Sequence, residues 1–207
     1  MFRPEAVREI VFGDEPEGLR SIIVVVEGEE YDMCEKYSFK RGSNDKPLNS
    51  ENDNYAPGIM NSEGDPRRTE RTGLIGEFAL AKVALFVVDL ETKDFDETDF
   101  IVEGTKIDIK TSTAGRRARE GLIQCQNKKG RIRLKSDVYV IARVENEDRD
   151  ARTATVRIMG YTSQNVVEQC EERYSGVGPW INRVVPYSIL KPVEKFVQWA
   201  RERQNVV

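Results

Sequence analysis

Hydrophobic residues recur at helical spacing between residues 72 and 86, and they cover nearly the whole surface of the helix that they predict. Within this stretch only Glu77 and Lys82 are charged. A helix that is apolar on almost every side is a buried helix. The positions that follow one face of this helix are Leu74, Phe78, Ala81 and Leu85.

Alternating polar and apolar residues predict a β-hairpin over residues 99–112, with Glu103 and Gly104 in its turn. If these two residues form the loop, Asp99 lies directly opposite Asp108, with Cβ atoms about 4.5 to 5.5 Å apart. Lys110 falls on the same face as Asp108, and this face is expected to lie away from the hydrophobic core.

The other patterns complete an α/β (α+β) fold of a single domain over residues 1–207, with a mixed central β-sheet flanked by helices. We expect a long loop at about residues 41–71 and a C-terminal helical extension at about residues 161–207. The remaining expected elements are strands at 20–27 (or a helix end), 122–126, 138–144 and 153–161, an ambiguous stretch at 31–39, helices at 163–176 and 191–204, and an irregular segment at 179–190.

The composition narrows the possible chemistry, because the chain contains no histidine. Histidine-based nucleophile systems, histidine metal sites and a histidine general base are therefore excluded. The three cysteines are far apart and are interpreted as buried thiols. No apolar run reaches the length of a membrane span and the N-terminus has no signal core, so we expect a cytoplasmic protein with no membrane partner.

The net charge is -4, but the basic residues are clustered. Such clusters indicate contact with a nucleic acid backbone, although solvated loops also carry them. The candidate nucleic-acid-binding residues are Arg67, Arg68, Arg71, Arg116, Arg117, Arg119, Lys128, Lys129 and Arg131.

The paired aspartates of the hairpin offer the hard oxygen ligands that Mg²⁺ or Mn²⁺ prefers. Lys110 beside them would orient a water or offset phosphate charge. The alternative is an ordinary ion-pair cluster on a solvated hairpin. Glu77 likewise has two interpretations, a buried acid near a metal or a partly exposed carboxylate near a helix N-terminus.

The order of these residues resembles the PD-(D/E)xK nuclease superfamily of phage and bacterial nucleases. Asp99 is followed by Asp108-Ile109-Lys110, a helix with Glu77 precedes them, and a strand with Gln124 and Gln126 follows. Thr98 stands where the family motif has proline, Asp108 replaces the commoner glutamate, and Asp94 and Asp96 are alternative positions for the first acid.

The resemblance implies a restriction-endonuclease-like core and a function for each motif residue. Asp99, Asp108, Glu77 and the carbonyl of Ile109 would bind the metal, and Lys110 would act in catalysis. Gln124 and Gln126 would contact the active site, or else are plain polar residues of a strand.

The expected function is that of a Mg²⁺- or Mn²⁺-dependent nuclease, with endonuclease action on DNA as the first expectation. A homodimer is compatible with this function, since cutting both strands usually requires two sites. Two alternatives stay open: a non-catalytic nucleic-acid-binding or assembly protein that retains the fold, and an interaction module whose acids are only surface residues.

Overall fold

The computed structural model describes residues 1–7, 10–14, 20–42, 68–90, 98–113, 120–128, 131–174 and 180–204, which form a mixed α+β fold. Of the loop expected at about 41–71, residues 43–67 lie outside the described residues, and the expectation is wrong at both ends, where residues 41–42 and 68–71 are helical. The strands are β1 (Val11–Asp14), β2 (Arg20–Glu27), β3 (Phe100–Val102), β4 (Thr105–Thr113), β5 (Glu120–Lys128), β6 (Arg131–Arg133), β7 (Val138–Asp148), β8 (Thr153–Ser163), β9 (Glu171–Tyr174) and β10 (Trp180–Pro186). The helices are α1 (Glu29–Gly42), α2 (Arg68–Ala84), α3 (Gln164–Val167) and α4 (Val193–Gln204).

Six strands form a mixed sheet in the order β1-β2-β8-β7-β4-β3. The pair β4–β7 is parallel and the other pairs are antiparallel. The predicted β3–β4 hairpin is confirmed, with Val102 opposite Thr105. Glu103 and Gly104 both have positive φ, at 47° and 81°, as a tight two-residue hairpin turn requires.

Helices α1, α2 and α4 cover one face of this sheet, and α2 is buried as its sequence predicts. It begins four residues before the expected start and lies very close to β4. A Cβ on Gly76 would come within 1.8 Å of the Thr111 hydroxyl oxygen, so glycine permits this contact. The ambiguous stretch after β2 is helical, and its Cys34 is buried. No helix in the described segments is long and apolar enough to cross a membrane.

A second sheet, in the order β6-β5-β10-β9, packs on the other face of the six-stranded sheet. Gly121 of β5 lies against Ile141 of β7, where a Cβ would approach the Ile141 side chain to 2.7 Å. Ile123, Met159 and Val185 fill the space between the sheets. The hydrophobic core therefore has two parts, one on each face of β7 and β8.

This second sheet corrects the sequence interpretation of the C-terminal region. The helix expected over 163–176 is one turn, α3, followed by β9, and the segment expected to be irregular contains β10. Ser163 precedes α3 but makes no capping hydrogen bond through its side chain. Pairing of β10 with both β5 and β9 outweighs the local helical pattern. The terminal helix α4 is as expected.

Candidate active site

Asp99 is held immediately before β3 by contacts with the β4 backbone. Its backbone N–H donates to the Ile107 carbonyl at 3.1 Å, and its carboxylate oxygen Oδ2 accepts from the Ile109 N–H at 2.8 Å. The Thr98 hydroxyl donates to the same Ile107 carbonyl at 2.6 Å. The Thr98 hydroxyl and the Asp99 N–H therefore share one carbonyl of β4.

Asp108 is completely buried in the middle of β4. One of its oxygens, Oδ2, lies 2.6 Å from Lys110 Nζ, and the other, Oδ1, lies 3.3 Å from Lys135 Nζ. Both lysine side chains keep some contact with water, at 27% and 21% exposure. The expectation that Asp108 would lie on a face outside the core is therefore wrong, because the second sheet packs on this face.

The charges of the site shift one another's protonation. Burial raises the pKa of Asp108 to about 7; Lys110 and Lys135 oppose this rise, and the nearby Asp99 carboxylate adds to it. Burial also disfavours the charged form of Lys110, but the attraction of Asp108 and Asp99 is stronger and leaves its pKa above the ordinary value. The two acids and Lys110 therefore form one electrostatic unit, as the hairpin register predicts.

Lys135 belongs to the basic cluster at residues 128–135, which the sequence analysis interprets as a contact with nucleic acid and does not place beside Asp108. It lies in the segment between β6 and β7, whose position is set by the hydroxyl group of Tyr139. That hydroxyl accepts hydrogen bonds from the N–H groups of Lys135 and Ser136, at 3.0 and 3.1 Å. Tyr139 is the β7 neighbour of Asp108 in the parallel pairing, and burial raises its pKa to about 12. Only the parallel register brings Lys135 to Asp108, so the basic cluster in the sequence gives no signal of it.

The backbone of Ile109 faces the edge of β4 where Asp99 lies. The N–H and C=O of one strand residue point to the same side, so the Ile109 carbonyl points toward this edge, as its N–H does. Two carboxylates and one carbonyl are hard oxygen donors, and they fit a divalent ion that keeps several water ligands. These residues are thus compatible with the Mg²⁺ or Mn²⁺ that the sequence predicts.

Glu77 is buried, as one of its two interpretations requires. Its helix lies on the face of β4 that carries Thr111, and Asp108 and Lys110 point to the opposite face. Among the described residues, no three acidic or cysteine side chains form a group that could hold a metal ion. A metal-binding role for Glu77 stays a prediction.

Gln124 and Gln126 lie on β5, and Gly121 and Ile123 of the same strand face the six-stranded sheet. The side chains at positions 124 and 126 lie outside the described part of the structure. Contact of these two residues with the active site, and the alternative that they are plain polar residues of a strand, both stay predictions.

Arg71 lies in a buried ion network, where the sequence predicts a contact with nucleic acid. Its side chain is 3% exposed, and its Nε lies 2.6 Å from Glu147 and 3.3 Å from Glu35. The Tyr31 hydroxyl donates to the same Glu147 oxygen at 2.8 Å, and burial raises the pKa of Tyr31. This ion network joins α1, α2 and β7, so Arg71 cannot reach a nucleic acid without leaving the core.

The other basic candidates are placed only through the backbone or not at all. Arg68 begins α2, and Lys128 of β5 is paired with Arg131 of β6. The remaining candidates lie outside the described residues: Arg67, Arg116, Arg117, Arg119 and Lys129, together with the alternative acids Asp94 and Asp96.

Comparisons of the chain with family models, with curated proteins and with solved structures give no match. The mixed α+β fold and the cluster of Asp99, Asp108, Lys110 and Lys135 are observed. A restriction-endonuclease-like core and a nuclease activity are interpretations of that cluster and of the motif order.

Proposed function

We propose that this chain is a Mg²⁺- or Mn²⁺-dependent nuclease that hydrolyses phosphodiester bonds of DNA, with a restriction-endonuclease-like core. The observation that carries the proposal is the buried Asp108, which contacts Lys110 at 2.6 Å beside the carboxylate of Asp99. Burying a carboxylate is unfavourable unless it is paired, and such arrangements are concentrated at functional sites.

Each residue of the cluster has a chemical role in this proposal. Asp99, Asp108 and the Ile109 carbonyl would hold the divalent ion. A bound Mg²⁺ or Mn²⁺ supplies Lewis-acid chemistry, activating a water and offsetting the negative charge that develops on the phosphate. Lys110 would orient the attacking water and stabilise the same charge. The β4 backbone and the Thr98 hydroxyl keep the two acids at a fixed separation before substrate binds.

The partners and setting of the enzyme belong to the same proposal. The basic segments of the sequence would bind the DNA backbone, with Arg71 removed from that set. A homodimer would bring two sites to the two strands of a duplex. We place this activity in the cytoplasm, where the chain would meet nucleic acid.

The direct test is hydrolysis of supercoiled plasmid, linear duplex, single-stranded DNA and RNA with Mg²⁺, Mn²⁺ or EDTA. We expect cleavage of DNA only with a divalent ion, and a loss of at least about 100-fold in Asp108→Asn and in Lys110→Gln. Lys195→Gln, an exposed substitution on α4, is the control for a change of one charge. Cleavage in EDTA, or full activity of either site variant, would refute the proposal.

One observation favours a second candidate, a non-catalytic nucleic-acid-binding or assembly protein. Both oxygens of Asp108 lie beside ammonium groups, which offsets the buried charge without a metal although neither oxygen accepts a hydrogen bond from the described residues. This candidate predicts salt-dependent binding of nucleic acid that divalent ions do not alter, with no hydrolysis under any condition above. The same set of reactions, run beside a binding assay, distinguishes the two functions.

A further inference from the structure

We infer that Lys135 is a phosphate-binding residue of the active site. Its ammonium group pairs with Asp108 while no divalent ion is bound, and it contacts the substrate phosphate once an ion takes its place. This inference rests on the proposed nuclease function and adds to it a residue that the sequence motif does not contain.

The backbone of Lys135 is fixed beside the site by hydrogen bonds of its segment. Its N–H and that of Ser136 both donate to the Tyr139 hydroxyl, at 3.0 and 3.1 Å. The Ser136 hydroxyl lies 2.9 Å from the hydroxyl of Thr98, which donates to the same Ile107 carbonyl as the Asp99 N–H. The segment that carries Lys135 is therefore bound to the residues that position both acids, and only its side chain is left to change position.

The two lysines beside Asp108 differ in how close their ammonium groups lie to its carboxylate. Lys110 Nζ lies 2.6 Å from Asp108 and its residue belongs to β4 itself, whereas Lys135 Nζ lies 3.3 Å away and its residue lies outside the strands. The longer contact indicates that Asp108 holds the Lys135 ammonium group less closely than that of Lys110, and both side chains reach water, at 21% and 27% exposure. A lysine side chain is a flexible stem with a compact charge, suited to such an exchange.

The net charge of the cluster also favours movement of one ammonium group when a divalent ion binds. Asp99 and Asp108 carry two negative charges when ionised, and Lys110 and Lys135 carry two positive ones. A divalent ion added to this set leaves a positive excess, so one ammonium group is repelled. Of the two ammonium groups, that of Lys135 lies farther from Asp108, so we expect it to move toward the nearest new negative charge, the phosphate that the same ion attracts.

The test of the first half uses Mn²⁺ alone, with no nucleic acid present. We expect Lys135→Gln to bind Mn²⁺ about tenfold more tightly than the parent chain in electron paramagnetic resonance titrations, since one competing positive charge is gone. Lys135→Arg, which keeps the charge, and Lys195→Gln, which changes the same net charge far away, should bind as the parent does. Thermal unfolding with and without Mn²⁺ gives a second readout. The ion should raise the unfolding temperature of Lys135→Gln by more than that of the parent chain.

The test of the second half uses a phosphorothioate duplex, which resists hydrolysis, with and without Mg²⁺. With Mg²⁺, Lys135→Gln should lower the slope of log affinity against log salt by about 0.9, the contribution of one phosphate contact. Without Mg²⁺ the slopes of the variant and the parent should agree, because Lys135 is then paired with Asp108.

Each outcome decides one point. Equal Mn²⁺ affinity in Lys135→Gln and the parent would overturn the competition at Asp108, and a salt slope lowered equally with and without Mg²⁺ would overturn the exchange. Either result can occur in a chain that cleaves DNA, so neither would touch the nuclease proposal. Failure of both chains to bind Mn²⁺ would overturn the inference and the metal dependence together.

Discussion

Neutralising Asp108 should change how the stability of the metal-free protein depends on pH. Burial raises the pKa of this carboxyl to about 7 from an ordinary value of 3.8. Between these two values the folded chain keeps a proton that the unfolded chain has lost. Stability from this group is therefore highest below about pH 4 and is lost as the pH rises to about 7. In Asp108→Asn this loss should be absent.

The size of the effect follows from the same two values. Their difference of about three pH units corresponds to about 4 kcal/mol. The side chains of Lys110 and Lys135 are partly exposed, and water around them moderates the cost of the charge. We therefore expect the free energy of unfolding of Asp108→Asn, relative to the parent chain, to rise by about 1 to 4 kcal/mol from pH 4 to pH 8.

Urea unfolding in EDTA at half-unit steps of pH measures this difference directly. The other carboxyl groups titrate in both proteins, so their contributions largely cancel when the two curves are subtracted. Asp32→Asn, at an exposed position on α1, is the control for removing one carboxylate away from the site. A constant difference between Asp108→Asn and the parent, or one that falls as the pH rises, would refute the electrostatic description of the site.

Three further predictions concern the packing of α2 on β4, the ion network of Arg71 and the basic residues at 116–119. Gly76→Ala should destabilise the chain by about 1 to 3 kcal/mol in urea unfolding, despite its better helix propensity, and Gly76→Ala with Thr111→Ala should recover part of the loss. Arg71→Met should cost about 1 to 3 kcal/mol by the same measurement, because it removes the buried cation that pairs with the partly buried Glu147 and leaves that carboxylate only its Tyr31 hydrogen bond. Arg152→Met at an exposed pair should have little effect, and equal losses would contradict the structural role of Arg71. The combined substitution of Arg116, Arg117 and Arg119 by alanine should lower the slope of log affinity against log salt for duplex binding by about 2 to 3. An unchanged slope would show that these three residues do not contact the DNA backbone.

The parts of the fold that the sequence predicts well are those fixed by local rules. The turn at Glu103 and Gly104 sets the hairpin register, and with it the approach of Asp99 to Asp108. The continuous apolar pattern of α2 requires burial whatever its neighbours are. In both cases the information lies within about fifteen residues.

What the sequence could not show depends on contacts between distant segments. Arg71 has the same local appearance as a surface arginine, and only its contact with Glu147, 76 residues later, reveals that it is internal. The strand β10 contains a proline at its end and no clear alternation, yet it pairs on both sides. Lys135 reaches Asp108 because β7 runs parallel to β4, a register that no short pattern encodes.

The hydrogen bond from the Ile109 N–H to Asp99 has a consequence for the kind of ion that the site can select. One oxygen of this carboxylate completes the edge of β4, where the carbonyl of a further strand residue would otherwise be. If both oxygens of Asp99 coordinated one ion, that hydrogen bond would weaken, so Asp99 is suited to coordinating an ion through a single oxygen. Sites of high coordination number, which Ca²⁺ prefers, rely on carboxylates that give two. In the proposed metal site, the way in which the hairpin edge is closed would therefore favour small octahedral ions such as Mg²⁺ and Mn²⁺ over Ca²⁺.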